Sequence, residues 1–307
     1  MRSKLISAAI GIAAMTLMCV CPGSGPAVAE PECPSLYVVA IPGTWETTDR
    51  PDDDRPGPGM LAGVTAGLPS SARVDYVSYA ATAFPWESEV YGASKREAVD
   101  NARGMIAAMA RECGATKIAL LGYSQGADAA GDLAAEIGTG LGVVPPHRIA
   151  AVGLISDPRR SPADALVGPP VAGAGAGGPR IGGFGFVSPQ TRTICAVGDL
   201  YCATAADDFV TRFAGFLAQT SHPDPAYLWR YQLEMNAILG DLMSNGGITL
   251  LQSQLSDSAN QERARLLEEF YRSEAHTAYG SYPVGGGATA LSWMHDWLSS
   301  QASAEGT

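Results

Sequence analysis

Residues 122–126 read Gly-Tyr-Ser-Gln-Gly, the G-x-S-x-G form that sets a serine at a sharp turn between a strand and a helix. The surroundings fit that placement. Lys117 to Leu121 is a largely apolar run expected to be a strand, and the chain from Gln125 to about Ile137 has helical spacing. Glycines on either side let the backbone turn sharply and raise the Ser124 hydroxyl above the sheet edge. They also leave the next N–H free at a helix N-terminus. A serine so placed is a nucleophile if a base can take its proton.

The chain has four histidines, His147, His222, His276 and His295, and all follow Ser124. That order excludes the two protease arrangements in which histidine precedes serine and permits serine, acid, histidine. His147 precedes the strand expected at Ile149 to Ile155 and both acid candidates, Asp157 and Asp199, so it breaks the order. His295, within a final helix expected over 288–297, reads as a surface or packing residue. The base is then His222 or His276.

The elements that must position these residues alternate through the first half of the chain. Strands are expected at Leu36 to Ile41, Val74 to Tyr79, Ile118 to Leu121 and Ile149 to Ile155. Between the second and third, Ala98, Ala102, Met105, Ile106 and Met109 recur at helical spacing within Ser94 to Arg111. Strands separated by helices imply a parallel sheet covered on both faces, a doubly wound α/β fold. Residues 168–186 are rich in Gly, Pro and Ala and read as loop. After Cys202 the pattern turns helical: Phe209, Phe213, Phe216 and Leu217 on one face, then Leu228, Leu239 and Leu242, then Leu266, Leu267 and Phe270.

The N-terminus reads as an export signal over residues 1–29. Arg2 and Lys4 precede an apolar stretch from Leu5 to Val20, and Ala27-Val28-Ala29 is a small-x-small cleavage pattern. A retained anchor is the alternative, against which the stretch is short for a span and is followed by Pro22, Gly23 and Pro26. Removing Arg2 and Lys4 leaves 18 basic against 31 acidic residues, a formal charge of −13, with no basic cluster to track phosphates. Nucleic acid is not an expected partner.

Cys33, Cys113, Cys195 and Cys202 remain after such cleavage, and an even number in an exported chain points to two disulfides. Cys195 and Cys202 enclose six residues including Gly198, a spacing that suits a local loop and leaves Cys33 for Cys113. The spacing is wrong for zinc, which expects closely paired ligands. No metal or organic cofactor is expected.

Four blocks between Cys33 and Tyr279 resemble the cutinase family of serine esterases, especially the cutinase-like lipid esterases of mycobacteria. The elbow stands as G-Y-S-Q-G at 122–126. The segment 195–202, Cys-Ala-Val-Gly-Asp-Leu-Tyr-Cys, is similar to the family's disulfide-closed acid loop C-x-x-G-D-x-x-C. His276-Thr277-Ala278-Tyr279 matches its H-x-x-Y base segment, and Gly43-Thr44-Trp45-Glu46 its N-terminal G-S-x-E, with threonine where serine is commoner. The resemblance implies a cutinase-like α/β hydrolase. It makes Ser124 the nucleophile, Asp199 the orienting acid and His276 the base, with the Gln125 backbone N–H and Thr44 as oxyanion donors. Asp157 remains an alternative acid and His222 an alternative base.

One departure is large. Between Cys202 and His276 lie 73 residues, far more than in most relatives. Residues 203–273 are therefore expected to be a helical insertion, either a lid over the site or a buttress packed away from it. The implied reaction is hydrolysis of lipid or aliphatic acyl esters through an acyl-serine, outside the cell or at its envelope. An acyltransferase acting on a sugar or lipid alcohol and a non-catalytic lipid-binding protein are the competing readings.

Overall fold

Strands and helices alternate as β1 (Leu36–Ile41), the short α1 (Ala62–Thr65), β2 (Ala72–Tyr76), α2 (Tyr91–Glu112), β3 (Lys117–Tyr123), α3 (Gln125–Gly138), β4 (Ile149–Ile155) and β5 (Thr191–Ile194). The computed structural model describes residues 33–49, 57 and 59–304; the export signal expected over 1–29 lies outside them. The strands pair in the order β2-β1-β3-β4-β5, all parallel. Pairing order reverses between β1 and β3, and the crevice beyond their C-terminal ends is where doubly wound sheets bind ligands.

Both faces of the sheet are buried, which is why its central strands read as continuous apolar runs. Tyr37, Val39 and Ile41 of β1, with Ile118 and Leu120 of β3, pack under α2 and α3. The alternate residues Leu36, Val38, Ala40, Ala119 and Leu121 pack under α1 and the C-terminal helix over Ala290–Ala304. The second strand leaves the ladder earlier than the expected Val74 to Tyr79. It pairs over 72–76 with β1, and Val77 and Tyr79 are buried in the core beyond it.

Residues 203–273 fold into α4 (Phe209–Gln219), α5 (Leu228–Ser244), α6 (Gly247–Gln254) and α7 (Asp257–Ser273), followed by the small hairpin β6 (Pro283–Gly285) and β7 (Ala288–Thr289) and by α8 (Ala290–Ala304). Helices α4 and α5 share a small core of Phe209, Phe216, Ile238 and Leu242, against which Leu250 and Leu251 of α6 pack. Five expected apolar positions are exposed instead, Leu217, Leu228, Leu239, Leu266 and Leu267, with Leu217 the most open at 66%, because their neighbours at helical spacing already fill the inner face.

A buried ionic cluster binds this cap to the body. Arg159, just after β4, pairs with Glu234 of α5. Asp132 of α3 accepts from Arg180 at 2.9 Å, from Lys95 of α2 at 2.9 Å and from Arg230 of α5 at 3.3 Å. Arg180 also donates to Asp157 at 2.6 Å, and Gln219 of α4 bonds Lys95 and Asp128. Buried charges persist only when paired this fully, so the cluster fixes where α4 and α5 sit. Asp157 is thereby committed to Arg180.

Two disulfides close the chain, Cys33–Cys113 between the start of β1 and the end of α2, and Cys195–Cys202 after β5. A peptide map without reduction should return those two pairs; Cys33 joined to Cys195 or Cys202 would refute them. No helix among the described residues is long and apolar enough to cross a membrane.

Candidate active site

Ser124 ends β3 and begins α3 with φ 55° and ψ −122°, a conformation costly for any residue with a Cβ. The left-handed angle belongs to the serine, not to the flanking glycines. Their contribution is space: a Cβ on Gly122 would lie 2.4 Å from the Gly126 carbonyl oxygen, and one on Gly126 would lie 2.0 Å from that of Ile41. Only two bare backbones let the turn close so tightly. The Ser124 N–H donates to Ile155 at 2.9 Å, pinning the turn to β4.

The structure brings Ser124, His276 and Asp199 into one row. Ser124 Oγ lies 2.9 Å from His276 Nε2, and His276 Nδ1 lies 3.0 Å from Asp199 Oδ2. Asp199 is fully buried in the loop closed by Cys195 and Cys202. The acceptors around Nδ1 require that nitrogen to carry the ring proton, which leaves Nε2 with a lone pair facing the serine hydroxyl.

Two further hydroxyls hold the carboxyl, a role that the sequence reading gave to neither. Ser156 Oγ donates to Asp199 Oδ2 at 2.6 Å and lies 3.0 Å from His276 Nδ1; like Ser124 it ends a strand with φ 55°. Tyr279 donates to the same oxygen at 2.7 Å and accepts from the Ala196 N–H at 2.9 Å. Burial, then the neighbouring Asp199, pushes the Tyr279 phenol well above its usual range, so it stays a donor. The other carboxyl oxygen accepts from the Tyr201 N–H at 3.1 Å. A tyrosine three residues after a histidine was the available signal; Ser156 had none.

Aromatic rings fix the imidazole. Tyr123 stacks on His276 with centroids 5.3 Å apart and donates its hydroxyl to the His276 carbonyl at 2.6 Å. Tyr201 lies 4.6 Å away on another side, and Phe270 of α7 is 6.3 Å away. The acid loop and the helix before the histidine thus meet at the ring.

Thr44 follows β1 and Gln125 opens α3, so both stand at the switch point. The Thr44 hydroxyl donates to the Gln125 side chain at 3.4 Å, while that amide donates to the Thr82 carbonyl at 2.9 Å. Glu46 shapes the Thr44 turn by accepting from the N–H groups of Gly43 at 2.8 Å and Met60 at 2.7 Å. Burial raises its carboxyl above the usual range, and those two donors pull the other way. The Gln125 N–H lies in the first turn of α3, where no intrahelical acceptor exists.

His222 is not part of this row. It lies in the turn after α4, its carbonyl accepting from Arg96, beside a separate charged cleft. His295 Nδ1 donates to the Val64 carbonyl at 2.9 Å on the opposite face of the sheet, and His147 lies in the turn before β4. Among the described residues no cluster of three or more His, Cys, Asp or Glu is arranged to hold a metal ion.

Ser124 and His276 open into a cavity of about 650 Å3 between body and cap. Its walls are mainly apolar, with Ala214, Gly215 and Ala218 of α4 and Phe270 of α7 on the cap side and Thr44 and Gln125 on the body side. Small residues on α4 leave this space open.

A doubly wound parallel sheet with a serine in a left-handed turn at its switch point defines an α/β hydrolase. The chain belongs to the cutinase family, whose model, described as Cutinase, matches residues 32–226. It is 31% identical over 211 residues to a carboxylesterase Culp6 homolog of Corynebacterium glutamicum, an alignment that covers 58% of this chain and 68% of that protein. Among solved structures, the catalytic core domain of acetyl xylan esterase from Trichoderma reesei has a TM-score of 0.46 at 20% identity, covering 68% of this chain and 100% of that one. Lysin B from Mycobacteriophage D29 has a TM-score of 0.48 at 19% identity, covering 88% of this chain and 98% of that one. Family and relative make the chain a serine carboxylesterase.

Proposed function

We propose that this protein is a secreted hydrolase of lipid or other long aliphatic acyl esters, working through an acyl intermediate on Ser124. The observation that carries the reading is the hydrogen-bonded row from Ser124 through His276 to Asp199, opening into an apolar cavity under the cap. Ser124 Oγ attacks the ester carbonyl carbon as its proton passes to His276 Nε2. The Gln125 N–H and Thr44 meet the charge on the tetrahedral oxygen, and Asp199 steadies the imidazolium. Collapse expels the alcohol, which takes the proton from His276. Water then attacks the acyl-serine with His276 again accepting a proton, and as the bond to Ser124 Oγ breaks His276 returns that proton to Oγ and the acid leaves. The apparent export signal and two disulfides support an extracellular or envelope location.

The cap's role follows from its two kinds of contact. Helices α4 and α5 are locked to the body by buried charges, whereas α4's small residues and Phe270 face the cavity. The reading is therefore a fixed cover over the acyl chain, with the ionic cluster as its buttress. Each methylene buried there favours binding by up to ~0.8 kcal/mol, about fourfold. The test is a series of p-nitrophenyl esters from butyrate to dodecanoate. Wild type should gain kcat/KM with chain length, and Ala214→Phe, which fills the cavity, should lose most of that gain while keeping butyrate turnover. An unchanged chain-length profile in folded Ala214→Phe protein would remove the cover from the substrate's path.

The acid loop supplies a second check. Asp199 is held between cysteines seven positions apart, so opening Cys195–Cys202 frees the segment that orients His276. Titration with dithiothreitol should depress ester hydrolysis before circular dichroism reports unfolding. Loss of both together would show that the loop acts on the whole fold.

A further inference from the structure

At the mouth of the cavity three aromatic side chains stack in the open. Phe84 and Trp86 lie face to face, centroids 4.7 Å apart and 3° from parallel, and Trp45 follows at 6.2 Å and 28°. Trp86 is 79% exposed and Trp45 68%. Such side chains in water call for an explanation, and the backbone beneath sharpens the point. Trp45 has φ 64° and Ala81 φ 51°, and the Trp45 N–H donates to the Ala81 carbonyl at 2.8 Å. A bulky residue in the left-handed region is strained, and here the strain holds an indole outward.

The platform is rigid and joined to the catalytic apparatus. Glu87 accepts from Trp45 Nε1 at 2.7 Å and from the N–H groups of Ala83 and Phe84 at 2.7 and 2.8 Å. Trp45 directly follows Thr44, and the Gln125 amide holds the Thr82 carbonyl at 2.9 Å. Trp45 and Phe84 border the cavity that contains Ser124.

We infer that this stack is a saccharide subsite, on which a pyranose ring in the alcohol half of the ester lies against Trp86 while the acyl chain runs under the cap. The inference rests on the esterase reading of Ser124 and deepens it by naming the alcohol. A pyranose presents an apolar C–H face to an aromatic ring and turns its hydroxyls outward, so it stacks in water without stripping its polar groups. The polar surface beside the rings suits those hydroxyls: Ser88 and Glu89 are exposed in the same turn. A lipid surface fits poorly. Glu87 is kept acidic by the backbone donors of Phe84 and Ala83, and immersing Trp45 would carry that carboxylate into the acyl region. Residues 80–91 contain no Lys or Arg to meet anionic headgroups.

The test compares two hexanoyl esters, one on O6 of methyl α-D-glucopyranoside and one on ethanol, with wild type, Trp86→Ala and Trp86→Phe. Trp86→Ala should raise KM for the sugar ester about five- to tenfold and leave ethyl hexanoate unchanged, with Trp86→Phe restoring most of the loss. Equal effects on both esters, or none on the sugar ester, would overturn the subsite. So would a loss confined to flotation with phosphatidylcholine vesicles, which would assign the stack to a lipid surface. Should wild type turn over neither ester, the esterase reading fails, and the subsite is decided by tryptophan emission on titration with the methyl glucoside. A shift present in wild type and lost in Trp86→Ala supports it; no shift in wild type refutes it.

Discussion

Ser124→Ala is expected to lower kcat/KM for a p-nitrophenyl ester by roughly 10^4-fold or more while the protein keeps its thermal stability. Alanine retains the Cβ that already tolerates φ 55° and the backbone N–H bonded to Ile155, so the turn loses only its oxygen. His276→Ala should fall to a similar level, because without Nε2 the hydroxyl 2.9 Å away keeps its proton. The two losses should not add, since serine and base act as a unit. His222→Ala serves as the control. It lies beside another cleft, with only its backbone carbonyl engaged by Arg96, and should leave turnover unchanged. Substantial hydrolysis by folded Ser124→Ala protein, or a greater loss in His222→Ala than in His276→Ala, would end the assignment.

How much of this was legible in the sequence follows from how local each feature is. The strand runs 36–41 and 149–155 match β1 and β4 in full, because buried parallel strands carry unbroken apolar runs between turn residues. The edge strands were harder. β5, Thr191-Arg192-Thr193-Ile194, is too short and polar to stand out, and β2 is only half buried. The elbow was readable since its glycines, serine and helix are contiguous. What the sequence did not show is how the glycines let the turn close: they vacate space for Ile41, Gly126 and Ala127, and a contact with another strand cannot be seen along one chain. Ser156 and the cap's ionic cluster were invisible for the same reason. Asp132, Arg159, Arg180 and Glu234 span about a hundred positions and meet only in the fold. Helical spacing likewise located α4 but not which of its residues would find neighbours, so Phe216 is buried and Leu217 is not.

The environment of Asp199 leads to the second large effect. Its Oδ2 receives the Ser156 hydroxyl, the Tyr279 hydroxyl and the His276 ring N–H, and its Oδ1 receives the Tyr201 N–H. Asparagine at this position has one oxygen to offer. With the amide nitrogen at the Oδ2 site, two hydroxyl donors and the ring N–H face another donor; with it at the Oδ1 site, it opposes the Tyr201 N–H. Either way the charge that favours the Nδ1–H tautomer and the imidazolium is gone, and Asp199→Asn should lose about 10^4-fold in kcat with little change in KM. Ser156→Ala and Tyr279→Phe each remove one neutral donor and keep the carboxyl, so each should lose only about three- to tenfold. Their double variant should lose more than the product, because besides the ring it must orient, the carboxyl then keeps only the Tyr201 N–H. Asp157→Asn makes the contrast: its carboxyl answers Arg180 in the buried cluster, so the expected damage is a lower melting temperature. If Asp199→Asn stayed within tenfold of wild type while folded Asp157→Asn lost activity without losing stability, the acid would be Asp157, and the row built on His276 would have to be redrawn.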